Sequence, residues 1–209
     1  IEPIAFIKRL LKMRVMFDRY IIKGLGEDEE DENLRWVMLK PYHYISKNNS
    51  SMKFRNTFSN RTDDADENDP ENDIQKRIVM AQSMLQVTFR SKKYKNWLFD
   101  TLNWLKDFNV AEVDSSQLSV FLDKWMCDYY NNLSRSIPKK EESNWVFEAL
   151  GTDTPHFVFN FIDYLYWVAR KHNYKNIRYI DEVRDFNFHY YNSIEHHLPQ
   201  SYENTDNVN

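Results

Sequence analysis

The segment Ser193-Ile194-Glu195-His196-His197-Leu198-Pro199-Gln200 sets a carboxylate beside an imidazole, just ahead of a proline. Phosphodiester hydrolysis calls for this pair of groups. A hard oxygen ligand holds the divalent cation that neutralises the scissile phosphate, and a neutral imidazole removes a proton from the attacking water. Neighbouring residues of a regular strand point to opposite faces, so Glu195 and His196 serve one phosphate only where the strand twists or ends. Pro199 supplies an end. The plain alternative is two ordinary polar residues at the end of an edge strand.

Read with its flanks, Phe186-Asn187-Phe188-His189-Tyr190-Tyr191-Asn192-Ser193-Ile194-Glu195-His196-His197-Leu198-Pro199-Gln200 resembles the opening of the HNH-type nuclease domain of the GmrSD family of modification-dependent restriction endonucleases. The family pattern runs aromatic-x-aromatic, Asn-Ser-Ile/Val-Glu-His, then Pro-Gln. Upstream, Phe157-Val158-Phe159-Asn160-Phe161-Ile162-Asp163-Tyr164-Leu165-Tyr166-Trp167 resembles the helix that precedes this motif. The resemblance implies a ββα-metal fold in which Glu195 ligates or orients one Mg²⁺ (or Mn²⁺) and His196 is the general base. By the same resemblance Asn192, Pro199, Gln200 and Asn207 orient the site loop, and the substrate is foreign, base-modified DNA. It also implies a ParB-like, nucleotide-dependent domain ahead of this chain, which starts at Ile1 inside a helical pattern and so reads as a piece of something longer.

Two features depart from the family pattern. His197 stands where an apolar or aromatic residue is common. The second strand with its asparagine, and the helix that donates a further His or Asn to the metal, have no counterpart. Asn204, Asn207 or Asn209 can begin that part, but none matches the helical ligand position, so the expectation is half an active site. A zinc reading of His196 and His197 fails for want of cysteine partners.

Elsewhere the chemistry is sparse. Three glycines leave no Gly-rich phosphate loop, and the single cysteine, Cys127, forms no internal disulfide. No signal peptide or membrane-length apolar run is present, so a cytoplasmic protein without membrane partners is expected. His43, His156 and His172 read as structural or solvent-facing. The net charge of −4 hides an asymmetry. Six carboxylates lie in Glu27 to Glu32 and seven in Asp63 to Asp73, which leaves 28 basic against 19 acidic residues elsewhere. Arg170, Lys171, Lys175 and Arg178 precede the motif and either steer a DNA backbone or form a solvated face; Arg90, Lys92, Lys93 and Lys95 make a second cluster. Alternating carboxylates around Asp63 to Asp69 can bind calcium, but they lack the glycine and terminal glutamate of an EF-hand, and a solvated loop is the better reading.

The elements that would position these groups are mostly helical. Ile4, Ile7, Leu11 and Val15 recur at helical spacing from Pro3 to Lys23, with Gly24 at the expected left-handed stop. Asn33 to Lys40 is a short helix or strand ended by Pro41, and residues 46–73 read as a long mobile connection. Ile74, Ile78, Ala81, Leu85 and Phe89 form one helix face; Trp97, Leu98, Thr101, Leu102, Leu105 and Phe108 form another, with the join near Ser91. Asp114 and Gln117 predict an N-terminal cap for a helix that stops before Pro138. Thr154-Pro155 predicts the start of the most buried helix, with Phe157, Phe161, Leu165 and Val168 on one side. From Phe186 the period switches to two, which predicts a strand.

The expected fold is mainly α: a multi-helix bundle with a short C-terminal β segment that begins a truncated ββα-metal (HNH-like) motif. Residues 1–180 are expected to be a helical domain with acidic loops near 26–33 and 46–73, and residues 181–209 the first part of the nuclease domain. The alternative to a nuclease is a non-catalytic helical interaction or DNA-binding module with a degenerate motif.

Overall fold

The computed structural model describes residues 2–26, 34–46, 49–58, 70–91, 95–137, 146–169 and 186–190. Five helices dominate the described residues: α1 (Pro3–Tyr20), α2 (Pro70–Thr88), α3 (Asn96–Leu105), α4 (Ser115–Arg135) and α5 (His156–Ala169). Two antiparallel pairs accompany them: β1 (Lys23–Leu25) with β2 (Arg35–Val37), and β3 (Leu39–Ser46) with β4 (Asn49–Asn56). The mainly helical expectation holds. No helix among the described residues is long and apolar enough to cross a membrane.

Helix α2 is the centre of the molecule. Its Ile78, Ala81, Met84 and Leu85 are buried among residues of α1, α3, α4 and α5, in the one large core that also takes in Trp97, Leu118, Phe161 and Phe188. The predicted faces of α2 and α3 are therefore the core faces. Asp114 caps α4 by accepting from the Gln117 backbone N–H at 2.9 Å, and α4 ends at Arg135. Between α4 and α5 lies an unexpected 3-10 segment, Val146–Asp153, that turns at Gly151 with φ of 53°.

Two buried glutamines on α2 fix how the chain enters and leaves the sheets. Gln82 donates to the Tyr20 carbonyl at 2.9 Å and accepts from the Ile22 N–H at 3.0 Å, which holds the exit from α1. Gln75 donates to the Met38 carbonyl at 3.1 Å and accepts from the Phe58 N–H at 3.0 Å, which clamps the joint between β2 and β3 to the chain leaving the hairpin. An amide side chain offers both a donor and an acceptor, so each glutamine satisfies two backbone groups that have left regular structure. A third tie joins three helices: the Asp123 carboxylate of α4 accepts from Arg77 of α2 at 2.6 Å and from the Tyr164 hydroxyl of α5 at 2.7 Å.

Several expectations are corrected. The helical period of α1 is real, but Ile4, Ile7, Leu11 and Val15 face water; Met16 and Tyr20 are the residues it buries. Gly24 is no helix stop. It lies in β1 opposite Trp36, where a Cβ would come within 2.9 Å of the Leu34 side chain. Pro41 does not end its element but sits inside β3, which an edge strand tolerates because half of its N–H groups face outward. The stretch 46–73 is not one long connection: Ser46 completes β3, residues 49–56 form β4, and α2 already begins at Pro70. α5 is not the most buried helix either. Leu165 is 47% exposed, and the inward face runs through Phe157, Phe161, Tyr164 and Trp167. Thr154 is buried before α5, where its hydroxyl donates to the Gly151 carbonyl at 2.8 Å.

Candidate functional site

The residues expected to carry catalysis, Glu195 and His196, lie outside the described residues. So do His197, Asn192, Pro199, Gln200, Asn207 and the basic run Arg170, Lys171, Lys175 and Arg178. What is described is the platform on which the motif begins. Residues 186–190 pair into neither sheet, so the strand expected there is absent over those five residues. Their alternation nevertheless predicts burial: Phe188 enters the main core while Phe186 and Tyr190 pack against it.

Side chains rather than a ladder hold this segment. Trp36 of β2 donates its indole N–H to the Phe188 carbonyl at 2.6 Å, and its ring meets Tyr190 edge-on at 5.8 Å. From α2, Gln86 donates to the Tyr190 hydroxyl at 2.7 Å and accepts from the Lys95 ammonium at 3.1 Å. The Arg90 guanidinium lies 5.0 Å from the Tyr190 ring centroid. Thus two members of the second basic cluster, Arg90 and Lys95, gather around Tyr190, five positions before Glu195.

The other residues weighed for chemistry have structural surroundings. His43 is on β3, and its Nε2 meets the Ser50 hydroxyl across the hairpin at 2.8 Å. His156 is exposed in the first turn of α5. Cys127 lies on α4, where burial first and then the Asp123 and Asp128 carboxylates push its thiol up, away from the thiolate a nucleophile requires. Among the described residues, no group of three or more His, Cys, Asp or Glu side chains converges to hold a metal.

A second concentration of charge escaped the sequence reading. Residues 34–62 contain six cations and no carboxylate, between the two acidic tracts. Cross-strand register brings two of the cations directly opposite each other, Lys40 on β3 and Arg55 on β4, with Arg19 of α1 close by. The signal was the acid-free run of 30 residues from Asn33 to Thr62, but only the register shows which of its cations meet.

No protein-family model, curated protein or solved structure matches the chain. The likeness to the GmrSD family therefore rests on the residues quoted above alone.

Proposed function

We propose that this chain is part of a metal-dependent DNA endonuclease that restricts foreign, base-modified DNA. The observation that carries the reading is the run Asn192 to Gln200 with its Glu195-His196 pair, entered from a segment that Trp36 and Gln86 tie to the folded core. In this reading His196 accepts the proton of the attacking water, and Glu195 offers the hard oxygen donor that Mg²⁺ (or Mn²⁺) prefers. A divalent cation held there would supply charge neutralisation at the scissile phosphate. One carboxylate is half of such a donor set; the rest, with the second strand of the nuclease core, belongs to the remainder of the HNH domain. Arg170, Lys171, Lys175 and Arg178 steer the DNA backbone toward the motif, and an upstream ParB-like domain takes any nucleotide.

A second reading is a non-catalytic, DNA-binding helical module. The grouping of Arg90 and Lys95 around Tyr190 favours it, because phosphate contacts there need no intact catalytic pair.

The protein carrying this chain, incubated with Mg²⁺, nucleotide and modified or unmodified plasmid, decides between them. The nuclease reading expects cleavage that His196→Ala abolishes while folding and DNA binding persist. Equal cleavage by both proteins removes His196 from the mechanism, and binding without cleavage favours the module.

A further inference from the structure

Lys40 is 8% exposed, which is unusual for a lysine, and no carboxylate among the described residues pairs with it. Its cross-strand partner is Arg55, a like charge in a position where opposite charges stabilise and like charges do not. Arg19 approaches from the end of α1, held there by the Thr57 hydroxyl, which donates to the Arg19 carbonyl at 2.7 Å. The Arg19 Nε is buried without a hydrogen-bond partner among the described residues. Burial first, then Arg55 and Arg19, push the Lys40 ammonium down to about 8. Three cations thus lie together where strand β3, strand β4 and the end of α1 meet, and the buried one, Lys40, has no carboxylate partner among the described residues.

The same face of the hairpin continues outward in a regular pattern. Strand alternation places Lys40, Tyr42 and Tyr44 of β3 beside Arg55, Lys53 and Ser51 of β4. Each cation lies over the diagonal tyrosine: the Arg55 guanidinium carbon is 5.0 Å from the Tyr42 ring centroid, and the Lys53 ammonium is 3.8 Å from that of Tyr44. Cations spaced along a strand and interleaved with aromatic faces are the elements of surfaces that track a phosphate backbone and stack its bases.

We propose that Arg19, Lys40 and Arg55 form a binding site for a phosphate group, and that Tyr42, Lys53 and Tyr44 extend it along the hairpin. A phosphate group reaches such a site as the backbone of a nucleic acid or as a small free phosphate compound; the site chemistry is shared. The proposal does not rest on the endonuclease reading, because none of its residues belongs to Phe186 to Gln200.

The test uses the whole chain in EDTA, which silences metal-dependent cleavage. Fluorescence anisotropy follows a labelled oligothymidylate of about 12 nucleotides, and thermal shift follows pyrophosphate. Lys40→Met and Arg19→Gln are each expected to weaken oligonucleotide binding about five- to eightfold at about 0.1 M salt. Each should also reduce the slope of log K against log salt by about 0.7–0.9, the signature of one lost phosphate contact. His196→Ala should leave both quantities unchanged. Without ligand Lys40→Met should melt higher than wild type, which separates lost binding from lost folding; Arg19→Gln gives the same binding readout should Lys40→Met not fold. Pyrophosphate that raises the melting temperature of wild type but not of Lys40→Met, without oligonucleotide binding, assigns the site to a small phosphate compound. Unchanged affinity and slope in both variants, or failure of wild type to bind either ligand, overturns the proposal.

Discussion

Helix α2 packs chiefly against α4 and α5, with Ile78, Met84 and Leu85 out of reach of water and Gln75 and Gln82 bonded to the backbone of two other regions. The β3 and β4 hairpin, joined to it through Gln75 at its base, leaves Ile45, Met52 and Phe54 in water and carries cations on its other face. One region buries most of its side chains in the interior; the other pairs its backbone and leaves large apolar side chains exposed. Stability and recognition are therefore expected to separate along the chain, with folding energy held by α2 and the hairpin surface open to a ligand.

The first way to break that contrast is to damage α2. Leu85→Ala is expected to cost about 2–5 kcal/mol, since the deletion leaves a cavity in a side chain's fully buried place. Urea unfolding measures it, and a loss below about 1 kcal/mol would deny α2 its central role. Gln82→Leu should cost about 2–4 kcal/mol, because it leaves the Tyr20 carbonyl and the Ile22 N–H without their partner. Hydrogen exchange at the Ile22 amide reports the broken contact directly. Protection there should fall below that of the Leu85 amide, and equal protection would mean that another group holds the exit from α1.

These two sites show which parts of the fold were legible. Ile78 and Leu85 stand out because α2 has one apolar stripe and one core to meet it, so period and burial agree. The Asp114 cap was legible for a similar reason: the rule is local and requires no partner element. Gln82 was not, since a glutamine bonded to backbone sixty residues away looks in sequence like any solvated helical position. The period of α1 predicted its helix and misplaced its buried face, because periodicity marks a stripe and not what covers it. The hairpin was missed because one face carries exposed apolar residues and the other interleaves tyrosines with cations, so no alternation of apolar and polar residues marks its strands. In the expected site, the alternation at Phe186, Phe188 and Tyr190 foretold burial, whereas the Trp36 and Gln86 contacts that hold the segment come from 152 and 104 positions away.

Lys40 is the point at which the two regions trade roles, a buried charge on the exposed element. A displacement from 10.5 to about 8 corresponds to roughly 3 kcal/mol held against the folded state while the ammonium is charged, so Lys40→Met should stabilise the ligand-free chain by up to that amount near pH 7. Between pH about 8 and 10.5 the unfolded chain binds more protons at this residue than the folded chain, and wild-type stability rises with pH relative to the variant. The gap should close by about pH 10.5. A gap that is constant with pH would assign the gain to packing instead of charge. Gly24→Ala tests the neighbouring strand pair with a smaller effect, about 1 kcal/mol, because the new methyl group would meet Leu34 at 2.9 Å and that buried side chain has to shift.

The smallest expected effect is the sharpest statement of the contrast. Phe54 is a large aromatic residue in the middle of β4, opposite Pro41, and on a buried sheet its loss would be among the most damaging substitutions available. Here it is 67% exposed, so Phe54→Ser removes little area that folding had taken from water. The change should stay within about 0.5 kcal/mol of wild type in urea unfolding. It should also leave the cationic face intact, because residue 54 points away from Lys40 and Arg55. A loss of about 2 kcal/mol or more, the cost of uncovering a buried aromatic, would mean that this face of the hairpin is covered in the folded chain, and the division between a stabilising core and an exposed hairpin would fall with it.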